Sequence, residues 1–322
     1  MDIVADPADP GLAEFPEEPD TNVNDGYQTD GDDTMCPLTS SATRCVDENG
    51  RTYPSHGRHE YPVPNDQSEQ ESQRILHRIF FLVCKQRLHL ALISPGHKTL
   101  DVGTGTGEWA IDFGEQYPAE SIKGTDLSPI QPEWVPPNVI FLVDDAEAKW
   151  TPDLYTFIHT RSLIRGIRDW PSIIRQAHLK PGGWIECQEP DYFPRTDDGK
   201  LSSDNSLGKF WQEVSKGFAE MGVNLNSPAQ LESLMREAGV VNVKEEVFDI
   251  PVGPWHSGLR QKEIGHLWED VLLQGLEGIA LRPLCRLGWR AEDVYIFLAQ
   301  IRKEYSVNKT HTRFYVVYGQ KP

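Results

Sequence analysis

The chain has 322 residues, 38% of them hydrophobic, and a formal net charge of −18. That content supports a substantial core in one large domain, with or without a tail, and a negative field of this size disfavours binding to a phosphate backbone. Five cysteines (Cys36, Cys45, Cys84, Cys187, Cys285) form no C-x-x-C pair, which argues against a structural zinc site or a disulfide framework and suits a reducing compartment.

Residues 1–45 carry eleven Asp/Glu against the single Arg44, a net charge of −10. Rich in Pro, Gly, Asp and Thr and without periodicity, they are expected to form a disordered acidic tail able to meet a protein partner. The acidic, Pro-containing start is unlike a signal or transit peptide. The longest apolar run, around Ile79 to Cys84, is too short to span a bilayer. No membrane association is expected, and the expected compartment is the cytoplasm, with the nucleus as the alternative.

Residues 46–97 read as an N-terminal lid segment and helix. Asp66 followed by Glu69 resembles a capping box, and apolar residues recur at Ile75, Ile79, Leu82 and Val83. This spacing predicts a helix from about Gln67 to Leu92, stopped by Pro95-Gly96. From Lys98 strands and helices alternate. Strands are predicted at Thr99–Val102, Ser121–Asp126, Val139–Val143, Tyr155–His159 and Trp184–Gln188, with helices at Trp109–Gln116 and Pro171–Leu179 between them. Alternation of this kind implies right-handed crossovers and a parallel sheet covered on both faces. Further helices are expected at Ser206–Met221, Pro228–Ala238, Leu259–Ile279 and Ala291–Tyr305, and strands at Val241–Ile250 and Arg313–Tyr318. Residues 98–322 thus form the main domain, with helical acceptor-site insertions at about 200–235 and 256–306.

The stretch "LDVGTGTGEW" brings Gly103, Gly105 and Gly107 to the end of the first strand of that alternation. No Lys follows, so the Walker phosphate loop is excluded. A dinucleotide fingerprint needs Gly three residues after Gly105, where Glu108 stands. Asp101 instead places a carboxylate beside the glycines, suited to an ammonium or a water-bridged amine and repulsive to a pyrophosphate. Asp126 ends the next strand, 21 residues after Gly105, where an acid accepts hydrogen bonds from both ribose hydroxyls. Asp144 and Asp145, before Ala146, end the third strand, where a carboxylate can accept from an adenine amino group. Adenine, ribose and an amino-acid ammonium without phosphate describe S-adenosylmethionine. The expected cofactor residues are Asp101, Gly103, Thr104, Gly105, Gly107, Asp126, Leu127, Asp144, Asp145 and Ala146.

On these residues the chain resembles the class I S-adenosylmethionine-dependent methyltransferases, and among them the fungal LaeA-like group associated with secondary metabolism. The matching segments are "ENGRTY", "LDVGTGTGEWAIDF", "GTDLSPIQPEWVPPNVIF", "DDAEAKW", "IRDWPSIIRQAHLKPGGWIECQE", "PVGPWH" and "YVVYGQKP". The resemblance implies a seven-stranded Rossmann-like α/β sheet with its last strand antiparallel, helices on both faces and an N-terminal helical lid. The group holds both small-molecule methyltransferases and regulators of secondary metabolism, so both functions stay open, as does use of the fold without methylation. Where relatives carry extra residues with Phe-Asp before the fourth strand, this chain has the shorter "TPDLYTFIHTR".

Methyl transfer from a sulfonium needs neither metal nor covalent intermediate, only alignment and exclusion of water, with a base if the acceptor is a hydroxyl. Ligands of open α/β sheets lie beyond the carboxyl ends of the strands. There His159 either takes a proton or holds a strand end, and Glu189 either does the same or orients Arg161 or Arg58. Arg161, Tyr192, Trp255 and His256 are candidates for the acceptor side. Tyr53 or Arg58, on the segment before the first helix, could meet the methionine carboxylate. An apolar or aromatic small molecule is the expected acceptor.

Overall fold

A computed structural model describes residues 45–322 except 95, 97, 198, 202, 203 and 308. The acidic tail expected over residues 1–45 lies outside the described residues but for Cys45. The described chain opens with a hairpin, β1 (Cys45–Glu48) and β2 (Arg51–Pro54). Asn49-Gly50 makes its turn, both residues at positive φ (51° and 75°). Asn-Gly between short strands is a strong hairpin signal, and the sequence reading above passed over it.

Helix α1 (Gln67–Val83) starts at the expected cap, with Glu69 N–H donating to the Asp66 carboxylate. Arg51 grips the same carboxylate from β2 through Nε and Nη2 at 2.6 and 2.9 Å. The helix ends nine residues earlier than its periodicity predicts. Lys85 and Gln86 take left-handed φ values of 57° and 63°, and the chain then runs as an irregular segment with Leu88, Leu90 and Ala91 buried. What fixes that segment is tertiary: Leu90 and Ala91 N–H both donate to the buried Glu186 carboxylate, and Trp109 Nε1–H donates to the Leu88 carbonyl. Apolar spacing alone cannot separate such a segment from a helical turn.

The main sheet follows. Its strands are β3 (Lys98–Val102), β4 (Ser121–Asp126), β5 (Val139–Val143), β6 (Tyr155–Arg161), β7 (Leu179–Thr196), β9 (Val241–Val252) and β10 (Thr310–Gln320), with the two-residue β8 (Gly199–Lys200) against the end of β7. The spatial order is β5-β4-β3-β6-β7-β10-β9. Pairing is parallel from β5 to β7, and β10 is antiparallel to both its neighbours. This is the seven-stranded sheet with an antiparallel last strand expected above. Helices α2 (Glu108–Gln116), α3 (Trp170–Gln176), α4 (Ser206–Glu220), α5 (Leu231–Glu237), α6 (Leu259–Arg286) and α7 (Ala291–Val307) complete the chain. Asp169 and Asn205 cap α3 and α4 by accepting first-turn N–H groups. Strands β7 and β9 and helix α6 run longer than predicted.

The largest core cluster joins α1, α4, α6 and α7 around Phe80, Trp211, Trp268 and Phe314. A second packs α3 and α5 on the sheet, and a third packs α2 and the segment after α1. The first cluster stands beside the carboxyl ends of β3 to β7, so the same helices that build it also wall the site.

Candidate functional site

Strand β3 delivers Asp101, and the chain then turns through three glycines at positive φ: 65° at Gly103, 57° at Gly105 and 84° at Gly107. A side chain on Gly103 would collide with Leu163, and one on Gly105 would come within 2.5 Å of Gln73 Oε1. Gly107 serves a different end, because its Cα faces the Phe141 ring and lets α2 start against β5. The loop is latched to β4: Gly105 N–H donates to Asp126 Oδ2 at 2.8 Å, and Ser128 N–H donates to Oδ1 at 2.9 Å. Burial pushes the Asp126 carboxyl up to about 6, against the lowering effect of those backbone donors. At the end of β5, Asp145 accepts from Arg58 N–H (2.8 Å) and Glu147 N–H (2.9 Å). Burial also raises Asp144.

These groups edge two connected cavities. One, of about 750 Å³, is bounded by Tyr61, Asp126, Leu127, Asp145, Ala146 and Ile167. The other, of about 630 Å³, is bounded by Asp101, Thr104, Gly105, His159, Arg161 and Arg165. Tyr61, Gln73, Gly103, Asp126 and Leu163 line both. Of the twelve residues expected at the cofactor, nine line this space, and Gly107 supports it from behind. Tyr53 and Arg58 do not face it. The Tyr53 ring is buried under the Arg282 guanidinium, 3.4 Å from ring centroid to Arg282 Cζ, and Arg58 contributes its backbone to Asp145.

His159 Nδ1–H donates to Asp101 Oδ1 at 2.7 Å, and Thr104 Oγ1–H donates to Oδ2 at 2.6 Å. The imidazole stacks on Trp109 at 3.7 Å and 7°. It is fully buried, which lowers its pKa to about 4 and keeps it neutral. Glu189 lies in none of the cavities. Its buried carboxyl accepts the N–H groups of Leu163 and Ile164 at 3.1 and 2.9 Å and so holds the short turn after β6; burial raises it to about 8. Arg161 does line the second cavity. It donates to Gln188 Oε1 and to His77 Nδ1, while His77 Nε2–H donates to Asp112. Burial lowers the Arg161 guanidinium to about 10, and no carboxylate lies within ion-pair distance of it among the described residues.

Tyr192 is buried between Trp211 and Trp268, at a third cavity described below. Trp255 and His256 stand apart from all of these. Strand β9 runs on to Val252 and carries them past the site, where Trp255 Nε1–H donates to the Val252 and Thr310 carbonyls and His256 is exposed. The sequence reading missed Tyr61, Gln73, Leu163 and Arg165. Tyr61 and Gln73 reach the site because the lid segment folds back over it, which no local pattern announces. Arg165 had a signal: it follows the strand end that carries Arg161.

A positive-φ glycine loop after a central strand, carboxylates at the ends of three successive strands and no phosphate-binding lysine define a class I methyltransferase. The comparisons agree. A methyltransferase-domain family model matches residues 75–245, and the chain belongs to that family. It is 38% identical over 308 residues to the methyltransferase pytC of Aspergillus terreus, covering 92% of this chain and 94% of that one. It is 36% identical over 250 residues to the secondary metabolism regulator LAE1 of Cochliobolus heterostrophus, covering 74% and 81%. Among solved structures, a Haemonchus contortus phosphoethanolamine N-methyltransferase 2 in complex with S-adenosyl-L-methionine matches with a TM-score of 0.45 and 20% identity, over 78% of this chain and 52% of that one. The protein is an S-adenosylmethionine-dependent methyltransferase. Its site suits that cofactor: the loop leaves no room for a Cβ at Gly103 or Gly105, and carboxylates stand along it at the ends of β3, β4 and β5. Among the described residues no helix is long and apolar enough to cross a membrane.

Proposed function

We propose that this methyltransferase acts on a small apolar or aromatic molecule of a biosynthetic pathway in the cytoplasm. One observation carries the reading: the methionine end of the cofactor space opens, past Gln73, Leu76 and Arg165, into a buried chamber walled by aromatic and aliphatic side chains. Asp126 is assigned to the ribose hydroxyls. Leu127, Asp144, Asp145 and Ala146 are assigned to the adenine, and Asp101, Thr104 and the glycine loop to the amino-acid end. Arg161, a half-buried cation with no carboxylate within ion-pair distance among the described residues, is assigned to the carboxylate of that end. Bound S-adenosylmethionine supplies a methyl group already activated on sulfur. The chain's own residues then position the acceptor and exclude water, effects worth about 7–11 kcal/mol in well-oriented reactions. His159 and Glu189 keep the Asp101 carboxylate and the Leu163–Arg165 turn in place, and neither is assigned proton transfer.

The test is purified protein, S-adenosylmethionine and extract of the native source, followed by mass spectrometry. A small molecule heavier by 14 daltons supports the reading, and methylation confined to the macromolecular fraction overturns it. The names of relatives such as LAE1 favour a second reading, a regulator that binds a protein partner, in the nucleus, through the acidic residues 1–45. Under that reading the methyl group goes to protein and no small molecule gains it.

A further inference from the structure

The chamber beyond Gln73 has a feature that packing does not explain. Helix α6 contains three interior glycines, a residue that is destabilising inside a helix relative to alanine. Two are dictated by close approach: a Cβ on Gly265 would collide with the Gly253 carbonyl, and one on Gly278 would come within 3.1 Å of Pro64. The third, Gly275, has nothing within 4 Å of where its Cβ would stand. That empty position faces the chamber, which lies between α1, α4, α6 and β7.

The opposite wall is aromatic and rigid. Tyr192 stacks on Trp211 with centroids 5.6 Å apart and planes at 22°, and Trp211 is fixed by donating Nε1–H to Tyr305 Oη at 2.7 Å. The polar end is the ion pair of Arg165 Nη2 with Glu69 at 2.8 Å. Both partners are buried, Glu69 to 2% and Arg165 to 11% side-chain exposure. Arg165 Nε nevertheless has no hydrogen-bond partner, although buried donors are ordinarily satisfied. Arg165 also lines the methionine end of the cofactor space, so its unused donor stands at the mouth between the two. Glu69 already balances the guanidinium charge, which makes a neutral oxygen the fitting partner rather than a second carboxylate.

We propose that the Gly275 chamber is the acceptor site and takes a flat aromatic molecule with a phenolic or enolic hydroxyl, whose oxygen accepts from Arg165. The S–CH3 bond breaks as the O–CH3 bond forms, S-adenosylhomocysteine is the leaving group, and the hydroxyl proton passes to the Glu69 carboxylate that lines the same chamber. Tyr192 and Trp211 supply the stacking wall, and Gly275 supplies the room. The proposal rests on the small-molecule reading above and narrows it to one class.

The probes are 2-naphthol and 2-methylnaphthalene, with binding to the full chain saturated with S-adenosylhomocysteine read by tryptophan fluorescence. The expected result is 2-naphthol bound at least tenfold more tightly than 2-methylnaphthalene, a preference that falls below threefold in Arg165→Lys. Gly275→Phe should weaken 2-naphthol at least tenfold and leave S-adenosylhomocysteine affinity within twofold. Gly275→Leu, a smaller plug, gives the same reading should the phenylalanine variant fail to fold. Unchanged 2-naphthol affinity in a folded Gly275 variant, or no 2-naphthol binding by the unmutated protein, overturns the assignment. Assayed on the extract, Gly275→Phe separates the two levels. If the unmutated protein and the variant methylate the same small molecule at the same rate, the chamber assignment fails and the small-molecule reading stands. If neither methylates any small molecule and only macromolecules gain the group, that reading fails and takes the assignment with it.

Discussion

Asp101 and His159 form a hydrogen-bonded pair across β3 and β6 at the edge of the cofactor space, with His159 Nδ1 2.7 Å from the Asp101 carboxylate and the buried imidazole stacked on Trp109. Thr104 holds the other carboxylate oxygen, so the pair fixes the first turn of the glycine loop. This makes the histidine a positioning residue for the loop. His159→Ala should lower melting temperature and S-adenosylhomocysteine affinity together, at a stability cost of about 2–4 kcal/mol from the void and the orphaned carboxylate. Turnover at saturating cofactor should change less than tenfold. A fall of about 10²–10⁴ in turnover with affinity intact would restore a general-base role. Because the folded pKa is lowered to about 4, unfolding takes up a proton between roughly pH 6.5 and 4. This contribution to stability is present above pH 6.5 and is lost as pH falls through 4, a slope His159→Gln should lack.

Asp126 latches the glycine loop to β4 and is proposed to hold the ribose, and its variants test both. Its oxygens already accept from Gly105 and Ser128 N–H, so the sequence-based expectation of a purely ligand-binding acid gives way to a shared role. Asp126→Asn should weaken S-adenosylhomocysteine binding by about 1.5–3 kcal/mol, the range for hydrogen bonds to a charged group, and should also lower the melting temperature. The carboxyl pKa of about 6 adds a pH signature. If the ionised form receives the ribose hydroxyls, affinity falls as pH drops below about 6, by up to about tenfold per unit. Calorimetry between pH 5 and 8 checks this, and Asp126→Asn should give a flat profile. A flat profile in the unmutated protein rules out the assignment to ribose.

Glu189 predicts a pH effect of opposite sign. Burial raises its pKa to about 8, so the fold retains a proton that the unfolded chain releases near pH 4.5. Stability from this group is fully present below about pH 4.5 and is lost as pH rises through about 8. Glu189→Gln cannot ionise, although its Nε2 gives up one accepted N–H, so its stability relative to the unmutated protein should rise steadily from pH 5 to 8.5 in urea denaturation. A variant that instead loses ground with rising pH would show the carboxylate to be ionised in the fold.

Much of this molecule is legible in its sequence because the signals are local. The strand-glycine-helix turn, the acids at the ends of β4 and β5, and the cap Asp66 each depend on residues a few positions apart. The Asn49-Gly50 hairpin is a local signal that the sequence reading passes over; the other failures involve distant partners. Helix α1 stops at Val83 because Glu186, a hundred residues on, holds the backbone of Leu90 and Ala91. His159 reads equally as a base or as a residue holding a strand end, and only the tertiary fold shows its ring stacked on Trp109 with Nδ1–H on Asp101. Trp255 and His256 read as pocket residues because the length of β9 cannot be counted from its apolar pattern. Gln73 and Arg165, which join the cavities, lie on a helix and a turn whose meeting is set by the tertiary fold.

Arg282 fastens the hairpin and the segment before α1 to the helical wall, and its loss should loosen the cofactor site from a distance. Although it lies within α6 and is only 3% exposed, its Nε and Nη2 donate to Glu48 of β1 at 2.9 and 2.7 Å. Its Nη1 donates to the Tyr61 carbonyl at 2.7 Å, and its guanidinium covers the Tyr53 ring. Tyr61 lines both parts of the cofactor space, so one side chain ties the hairpin and the segment before α1 to the helical wall. Arg168, whose guanidinium donates to the Glu60 carbonyl, offers a second tether and should keep the lid attached without Arg282. Glu48 is about one-third exposed and can be hydrated once its partner is removed. Arg282→Met should therefore cost only about 1–3 kcal/mol, less than breaking a fully buried pair. The sharper effect should be kinetic: hydrogen exchange in residues 45–61 should quicken, and S-adenosylhomocysteine should dissociate roughly tenfold faster, since loss of closure acts mainly on the off-rate. Arg282→Lys should recover part of both, because an ammonium can reach Glu48 but cannot bridge Glu48 and Tyr61 while covering an aromatic ring. Faster exchange in the hairpin with an unchanged dissociation rate would show that the hairpin is attached to the site without closing it.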